Sequence, residues 1–411
     1  MMSRDNILVG LDIGTTKIAA VIGEVEESGG LKIVGLGTAP AEGLKRGVVI
    51  NLEQTINSII KAVQDAELMA GVKVDSLYAG IAGDHIRSIN SRGVIAVTKA
   101  EKEIGQAEID RAIEAAKTVA IPMDREIIHV LPQEFTVDDQ PGIKDPRGMS
   151  GTRLEVEVHI VTGSVTSAQN IHRSIKRAGY ELLDLVLEPL ATSKALLEPE
   201  EIELGATLVD IGGGTTNMAI FYDGCIRHTA VISLGGRNVT NDLAIGLRTP
   251  VEQAEELKKS YGCALSSLTD PEEMIKVPGV GSKEPKEVSR SILAAIIEPR
   301  MEEIFSLALR EIKKSNFADI LASGIVLTGG GSLLEGVEDL AEQVFDMPVR
   351  KGKVKGVSGL LDIAENPMNS TAIGLILYGL NNNKDKLRKM SNGKIFSRLT
   401  QRVKGFLGEY L

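Results

Sequence analysis

At 411 residues the chain is too long for one ordinary core and predicts two to four structural units. With 43 % hydrophobic and 25 % charged residues it reads as globular and soluble, while 3 % aromatics, no Trp and a net charge of −10 argue against a nucleic-acid binder. The charge is uneven: from Leu380 onward eight basic residues face two acidic ones, so the tail is +6 and the rest of the chain −16. A basic tail on an acidic body is expected to meet a different partner from the body itself. Cys225 and Cys263 have no metal-ligand spacing and suit a reducing compartment, and the five His residues are scattered. No signal-peptide pattern opens the chain, and no run approaches the ~20 apolar residues of a spanning helix.

In chain order, apolar runs at Ile7 to Asp12, Ile18 to Ile22 and Ile33 to Gly37 predict a buried antiparallel meander, with Gly14-Thr15-Thr16 turning between the first two strands. A helix follows with its apolar face at Ile56, Ile59, Ile60, Val63, Ala66 and Leu68, then a strand at Leu77 to Ala82. Residues 84–162 change pattern and read as a small α+β insert. Its expected parts are a strand at Val94 to Val97, an amphipathic helix spanning Ile104 to Val119, strands at Ile127 to Leu131 and Glu155 to Val161, and a loop from Gln140 to Gly151.

The opening unit then recurs. Ala206 to Asp210, the turn Gly212-Gly213-Gly214-Thr215-Thr216, Met218 to Tyr222 and Ile226 to Ile232 repeat strand, Asp, Gly/Thr turn and strand about two hundred residues later. Two copies predict two similarly folded α/β domains facing each other. The first comprises 1–83 and 163–204, the second 205–248 and 321–380. A second insert, 249–320, is expected to hold helices at Val251 to Ser260 and Val288 to Ile312 with a Pro/Gly-rich loop, Pro278 to Pro285. Residues 381–393 read as a flexible linker spanning about 20 Å as a random coil.

Phosphate oxygens need converging donors free of side-chain bulk, which Gly-rich turns supply as backbone N–H groups and Thr hydroxyls supplement. Magnesium on those phosphates wants carboxylates nearby, often through its waters. Both turns fit: Asp12-Ile13-Gly14-Thr15-Thr16-Lys17, with Lys17 adding a point charge, and Asp210-Ile211-Gly212-Gly213-Gly214-Thr215-Thr216-Asn217. A third element, Thr328-Gly329-Gly330-Gly331-Ser332, runs from a buried strand toward a helix beginning near Leu333, where a flat ligand can approach the backbone. One such hairpin alone is usually a tight turn; three, two of them matched repeats preceded by Asp, point to a nucleotide. No GxxxxGK[ST] or GxSxG sequence is present, which excludes a P-loop and a hydrolase elbow.

These motifs resemble the phosphate and adenosine motifs of the actin, sugar-kinase and heat-shock chaperone superfamily. Within it the chain is similar almost end to end to the FtsA family of bacterial cell-division actin homologues. Val186-Leu187-Glu188-Pro189-Leu190-Ala191, Ile297-Glu298-Pro299-Arg300, Gly324 to Gly330 and Ser370-Thr371-Ala372-Ile373-Gly374 carry the match, together with the placement of the first insert. The resemblance implies an actin-like two-domain fold with ATP or ADP and Mg2+ in the cleft. It implies that Asp12 and Asp210 face the ion through water, that Gly14 to Lys17 and Gly213 to Asn217 wrap the phosphates, and that Gly329 to Ser332 border the adenosine. Gly235 and Gly236 lie close to the nucleotide or form a turn. Glu255 and Lys258 resemble a ribose-contacting pair, or are a solvated i,i+3 ion pair worth a few tenths of a kcal/mol. Glu188 would orient the attacking water, with at most weak hydrolysis, or simply begin a helix. Small residues at Ala191, Ala195, Ala372 and Gly374 suit helices crossing at an interdomain hinge.

In the tail, Ile395, Phe396, Leu399, Val403, Phe406, Leu407 and Tyr410 form one helical stripe, with Lys394, Arg398, Arg402 and Lys404 opposite. Such a helix lies in an anionic membrane surface without crossing it, and FtsA proteins carry a similar one. The resemblance further implies the FtsZ C-terminal tail as a partner of the second insert, with Arg300 and Glu303 as contacts. It also implies self-association into filaments, other divisome partners, and a place on the cytoplasmic face of the membrane at the division site. A pilus or shape-system scaffold and a small-molecule kinase of the same superfamily are the alternatives.

Overall fold

The computed structural model describes residues 6–98, 103–281 and 284–382. The linker beyond Asn382 and the membrane helix expected at 394–411 lie outside the described residues.

Strand Ile7–Ile13 pairs antiparallel with Lys17–Val25, with Asp12 opposite Ala19 and Ile13 opposite Ile18, leaving residues 14–16 as the turn. Lys17–Val25 pairs with Leu31–Pro40, and Ser76–Ile81 and Glu181–Leu187 extend the sheet in parallel on the other side. Helix Leu52–Ala70 covers one face. Asn51 caps its start by accepting from the Gln54 N–H at 3.2 Å, and Gly71 ends it in the left-handed conformation, φ 67°. The helix packs close because the strand beneath is glycine there: a Cβ on Gly37 would lie 1.9 Å from the Ala62 carbonyl oxygen.

The second half repeats this plan. Ala206–Ile211 pairs antiparallel with Thr216–Tyr222, placing Asp210 opposite Asn217, and Cys225–Ile232 continues the meander. Ile325–Thr328 and Val349–Lys351 add in parallel. Helices Val251–Tyr261 and Arg290–Lys314, from the expected second insert, share one apolar core with this sheet, in which Met218, Ile220, Leu257, Ile297, Met301 and Phe305 are buried together. Val288, expected in the long helix, lies instead in strand Lys286–Ser289; Ser289 caps the helix by accepting from the Ser291 N–H.

The first insert is a four-stranded sheet with Arg87–Ala96 at one edge, then Arg153–Ser164, Arg125–Val137 and Gln140–Ile143. Residues 140–143, expected as loop, are a strand because Ile143 and Gln140 pair back onto Phe135 and Val137. The helix is Gln106–Ala116, shorter than expected: Ile104 is buried ahead of the Gly105 cap and Val119 follows the end.

The two large sheets meet across two helices, Glu188–Leu196 and one over 370–382. Their backbones nearly touch, since a Cβ on Gly374 would lie 2.1 Å from the Ala191 carbonyl oxygen. The end of the 321–380 stretch also contacts the first sheet. Strand Val357–Gly359 pairs with Leu31 to Ile33 of the first sheet, and the last helix sits on that sheet, with Ala372 against Gly10 and Gly379 against Tyr78. An apolar layer with residues from both sheets and both helices, among them Val21, Ala191, Leu208, Val326, Ala372 and Ile376, joins the halves.

Candidate functional site

The fold brings the two Asp/Gly/Thr hairpins face to face. A Cβ on Gly213 would lie 2.3 Å from Thr16 Cγ2, and one on Gly214 would lie 2.7 Å from Thr15 Cγ2. Glycine at both positions is therefore what lets the turns approach. Gly14 and Gly212 hold equivalent places, each facing the carbonyl three residues on, of Lys17 and Thr215. Thr15 also accepts from the Gly47 N–H at 3.2 Å, and Thr216 donates to the Leu234 carbonyl at 2.9 Å.

Three carboxyl groups gather behind the turns. Burial pushes Asp12 up to about 6, opposed by Lys17. Burial and the neighbouring Asp12 push Asp210 up to about 7. Glu188, the first residue of its helix with Pro189 next, is raised well above the usual range by burial and then by both Asp residues. It faces Gly80, where a Cβ would lie 3.0 Å from Glu188 Cγ, and accepts from Asn217 Nδ2 at 3.1 Å, so it contacts the second half directly. The Lys17 ammonium donates to the Met368 carbonyl at 2.8 Å and to Asn369 Oδ1 at 3.0 Å. Burial lowers its pKa while Asp12 and Asp210 raise it. Three acids against one ammonium leave the site short of positive charge, a deficit that protons or a cation relieve. Asn217 Oδ1 is buried without a hydrogen-bond partner. Among the described residues no group of three or more His, Cys, Asp or Glu side chains is set to ligate a metal directly, so a divalent cation at these carboxyl groups would be held through its waters.

The remaining expected residues extend from the second hairpin. Gly236 N–H donates to the Gly212 carbonyl at 2.9 Å and Arg237 N–H to that of Gly213 at 2.8 Å, fixing Gly235 and Gly236 on the phosphate turn. Lys258 Nζ donates to the Gly236 carbonyl at 3.1 Å, Thr240 Oγ1 at 2.9 Å and Glu255 Oε2 at 2.6 Å. Glu255 is also bonded by the Thr240 hydroxyl; burial raises its pKa, but these bonds outweigh that and hold it below the usual carboxylate range. The pair is thus a half-buried brace beside the turn rather than a solvated surface pair. Gly329 takes φ 79°, and a Cβ there would lie 2.2 Å from Asp210 Oδ1, so only glycine fits at this junction. Ser332 Oγ donates to the Gly329 carbonyl at 2.7 Å, and Gly330 lies beside Met368. The helix expected near Leu333 begins only at Val337; Gly330–Leu333 is a 3-10 turn, and Gly336 at φ 70° redirects the chain between them.

Arg300 and Glu303 lie outside this cluster. Arg300 grips Asp242 with two bonds, 2.6 and 3.1 Å, and also bonds Glu303. Several contributors carried no clear signal in the sequence. Thr371 donates to Asp210 Oδ2 at 3.4 Å and lies 2.9 Å from Thr192 Oγ1; Asn369 holds Lys17 and Thr240 holds Glu255. Thr371 stands within a stretch that carries the family resemblance and the small residues of the hinge; its hydroxyl is the available signal.

Two sheets built on the same hairpin, joined by crossing helices and meeting at paired Gly/Thr turns, define the actin-like class of fold. Solved structures agree in fold. A PilM–PilN type IV pilus biogenesis complex matches with TM-score 0.66 at 17 % identity, covering 91 % of this chain and 98 % of that one. MreB5 of Spiroplasma citri bound to ADP matches with TM-score 0.57 at 15 % identity, covering 92 % and 98 %. Within the class, residues 207–374 match the family model described as cell division protein FtsA, and residues 83–162 match the SHS2 domain inserted in FtsA. Cell division protein FtsA of Pseudomonas aeruginosa is 49 % identical over 391 residues, 95 % of this chain and 93 % of that one. The Borreliella burgdorferi protein is 42 % identical over 413 residues, covering 100 % of both chains, and the Escherichia coli one is 39 % identical over 380 residues, 91 % and 90 %. The chain belongs to the FtsA family of cell division proteins.

Proposed function

We propose that the protein binds ATP with magnesium in the cleft, polymerises, and tethers the FtsZ ring to the cytoplasmic face of the membrane at the division site. The observation that carries the nucleotide reading is the meeting of the two hairpins over a cluster of three acids and one ammonium. MreB5 of Spiroplasma citri, of the same fold, was solved with ADP and with AMPPNP. In this reading the turns at Gly14 to Lys17 and Gly212 to Asn217 hold the phosphates with backbone N–H and Thr hydroxyl groups. Asp12 and Asp210 reach the ion through its waters. Gly235, Gly236, Glu255, Lys258 and Gly329 to Ser332 flank the nucleoside. A bound nucleotide would supply a phosphoanhydride bond; Glu188, held by Asn217, would orient water toward it, and burial with the two Asp residues raises its pKa, which favours its accepting a proton from that water.

The tail supports the membrane part of the reading. Its apolar stripe and basic face suit an anionic surface, each basic residue adding ~1 kcal/mol near anionic lipid. Linked tails on a polymer bind by avidity. Among the described residues no helix is long and apolar enough to cross a membrane. In the same reading the FtsZ C-terminal tail docks on the second insert around Arg300 and Glu303, with other divisome proteins elsewhere. The test is pelleting with anionic liposomes in ATP and magnesium, comparing the full chain with one truncated after Leu380. Pelleting of the full chain alone is expected; pelleting of neither, or of both equally, refutes the tether.

A further inference from the structure

The first insert touches both halves of the molecule, and one of its strands makes both contacts. Strand Arg125–Val137 carries two β-bulges, at Ile128 and at Gln133, where the register against Arg153–Ser164 skips a residue. Bulges re-aim side chains that a regular ladder would commit elsewhere. Beside the first bulge, His129 Nε2 accepts from the Leu187 N–H at 3.0 Å, one residue before Glu188. At the second bulge, the buried Gln133 side chain donates to the Ile226 carbonyl at 2.8 Å, on the outer strand of the second sheet. That strand pairs with Thr216–Tyr222, which begins at the second phosphate turn.

The seam to the second half continues on either side. Buried His159 lies 3.0 Å from Thr229 Oγ1, Ser88 Oγ donates to the Thr229 carbonyl at 3.1 Å, and Lys144 pairs with Asp223 Oδ1 at 2.6 Å. The residues joined across the seam lie far apart in the chain, 79 positions for Lys144 and Asp223 and 141 for Ser88 and Thr229. The bond from Asn217 to Glu188 spans the two halves inside the cleft, and the insert spans them a second time outside it. Separating the halves must therefore break the outer seam as well as the inner contact.

The geometry points to a clasp: Gln133, with His129 on the same strand, positions the two halves against each other, and the docked insert sets how long nucleotide stays in the cleft. This rests on the nucleotide reading above. It also makes the insert the place where a partner that pulls on its sheet would be felt at the phosphate turns.

The test is the release rate of a fluorescent ADP analogue from the full-length protein, chased with unlabelled ADP. Gln133→Leu keeps most of the volume and removes the donor, leaving the Ile226 carbonyl unpaired. Release is expected to quicken roughly five- to tenfold, the scale of one buried hydrogen bond. Exposed Lys144→Ala should quicken it about twofold, as an exposed pair contributes less. Hydrogen exchange at the Leu187 amide should also rise in His129→Ala, a readout independent of turnover. Unchanged release in a folded Gln133→Leu protein overturns the clasp. Should that variant fail to fold, unchanged release in Lys144→Ala overturns it instead. If the wild-type protein retains no labelled nucleotide, the nucleotide reading falls and this one with it, an outcome distinct from retention with unaltered release.

Discussion

Asp210→Asn should make the nucleotide-free protein more stable while weakening its hold on magnesium nucleotide. The Asp210 carboxyl, ordinarily at 3.8, is pushed to about 7 by burial and by Asp12. A carboxyl raised in the folded state favours folding fully only below its unfolded value. That contribution is lost as the pH climbs through the folded value, here between about 4 and 7. A rise of that size corresponds to roughly 4 kcal/mol at pH 8. Part of the push is repulsion from Asp12, which takes up a proton of its own and relieves the pair, so ~2 kcal/mol is the expected net effect. Asn keeps an oxygen for the Thr371 hydroxyl, 3.4 Å away, and removes the charge. In a chain of 411 residues ~2 kcal/mol raises the melting temperature by about 2 °C. Thermal unfolding at pH 8 should show that gain, and at pH 5 less than half of it. Magnesium ATP should raise the melting temperature of the wild-type protein far more than that of Asp210→Asn. A lower melting temperature for Asp210→Asn at pH 8, or an equal gain at both pH values, would refute the view of Asp210 as a buried charge awaiting a cation.

Glu188→Gln preserves the acceptor for Asn217 and removes one acid, so nucleotide affinity measured by titration should stay within about threefold while phosphate release falls about a hundredfold, the scale of one acid–base group. An equal loss of both would mean that Glu188 holds the cleft rather than the water. Gly374→Val puts side-chain atoms where only 2.1 Å separates a Cβ from the Ala191 carbonyl, and should cost about 3 kcal/mol or more by chemical denaturation, because both partners are helix backbone. Arg300→Ala frees Asp242 and Glu303 and should weaken binding of an FtsZ tail peptide about tenfold by fluorescence anisotropy, with nucleotide affinity unchanged; undiminished peptide binding would move the partner site elsewhere.

The sequence by itself determined the local units of this protein. Short continuous apolar runs with Asp and Gly/Thr turns specified both hairpins, and three- and four-residue spacings specified helices such as Leu52–Ala70. Their recurrence implied duplication and a facing pair, and the motif order pointed to the FtsA family, to which the chain belongs. Each of these signals is carried by neighbours in the chain. Short-range cues misled where pairing decided: Gln140–Ile143 became a strand through Phe135, and Val288 joined a strand rather than a helix. Only the tertiary structure placed residues 357–380 on the first sheet, seated Lys17 on Met368 and Asn369 some 350 positions away, and drew Asp12, Glu188 and Asp210 into one cluster. Contacts of that range depend on how whole sheets pack. Charge follows the same rule, since a carboxyl's pKa is set by the burial and neighbours that packing imposes, and nothing in the spacing of Asp12 and Asp210 along the chain encodes it.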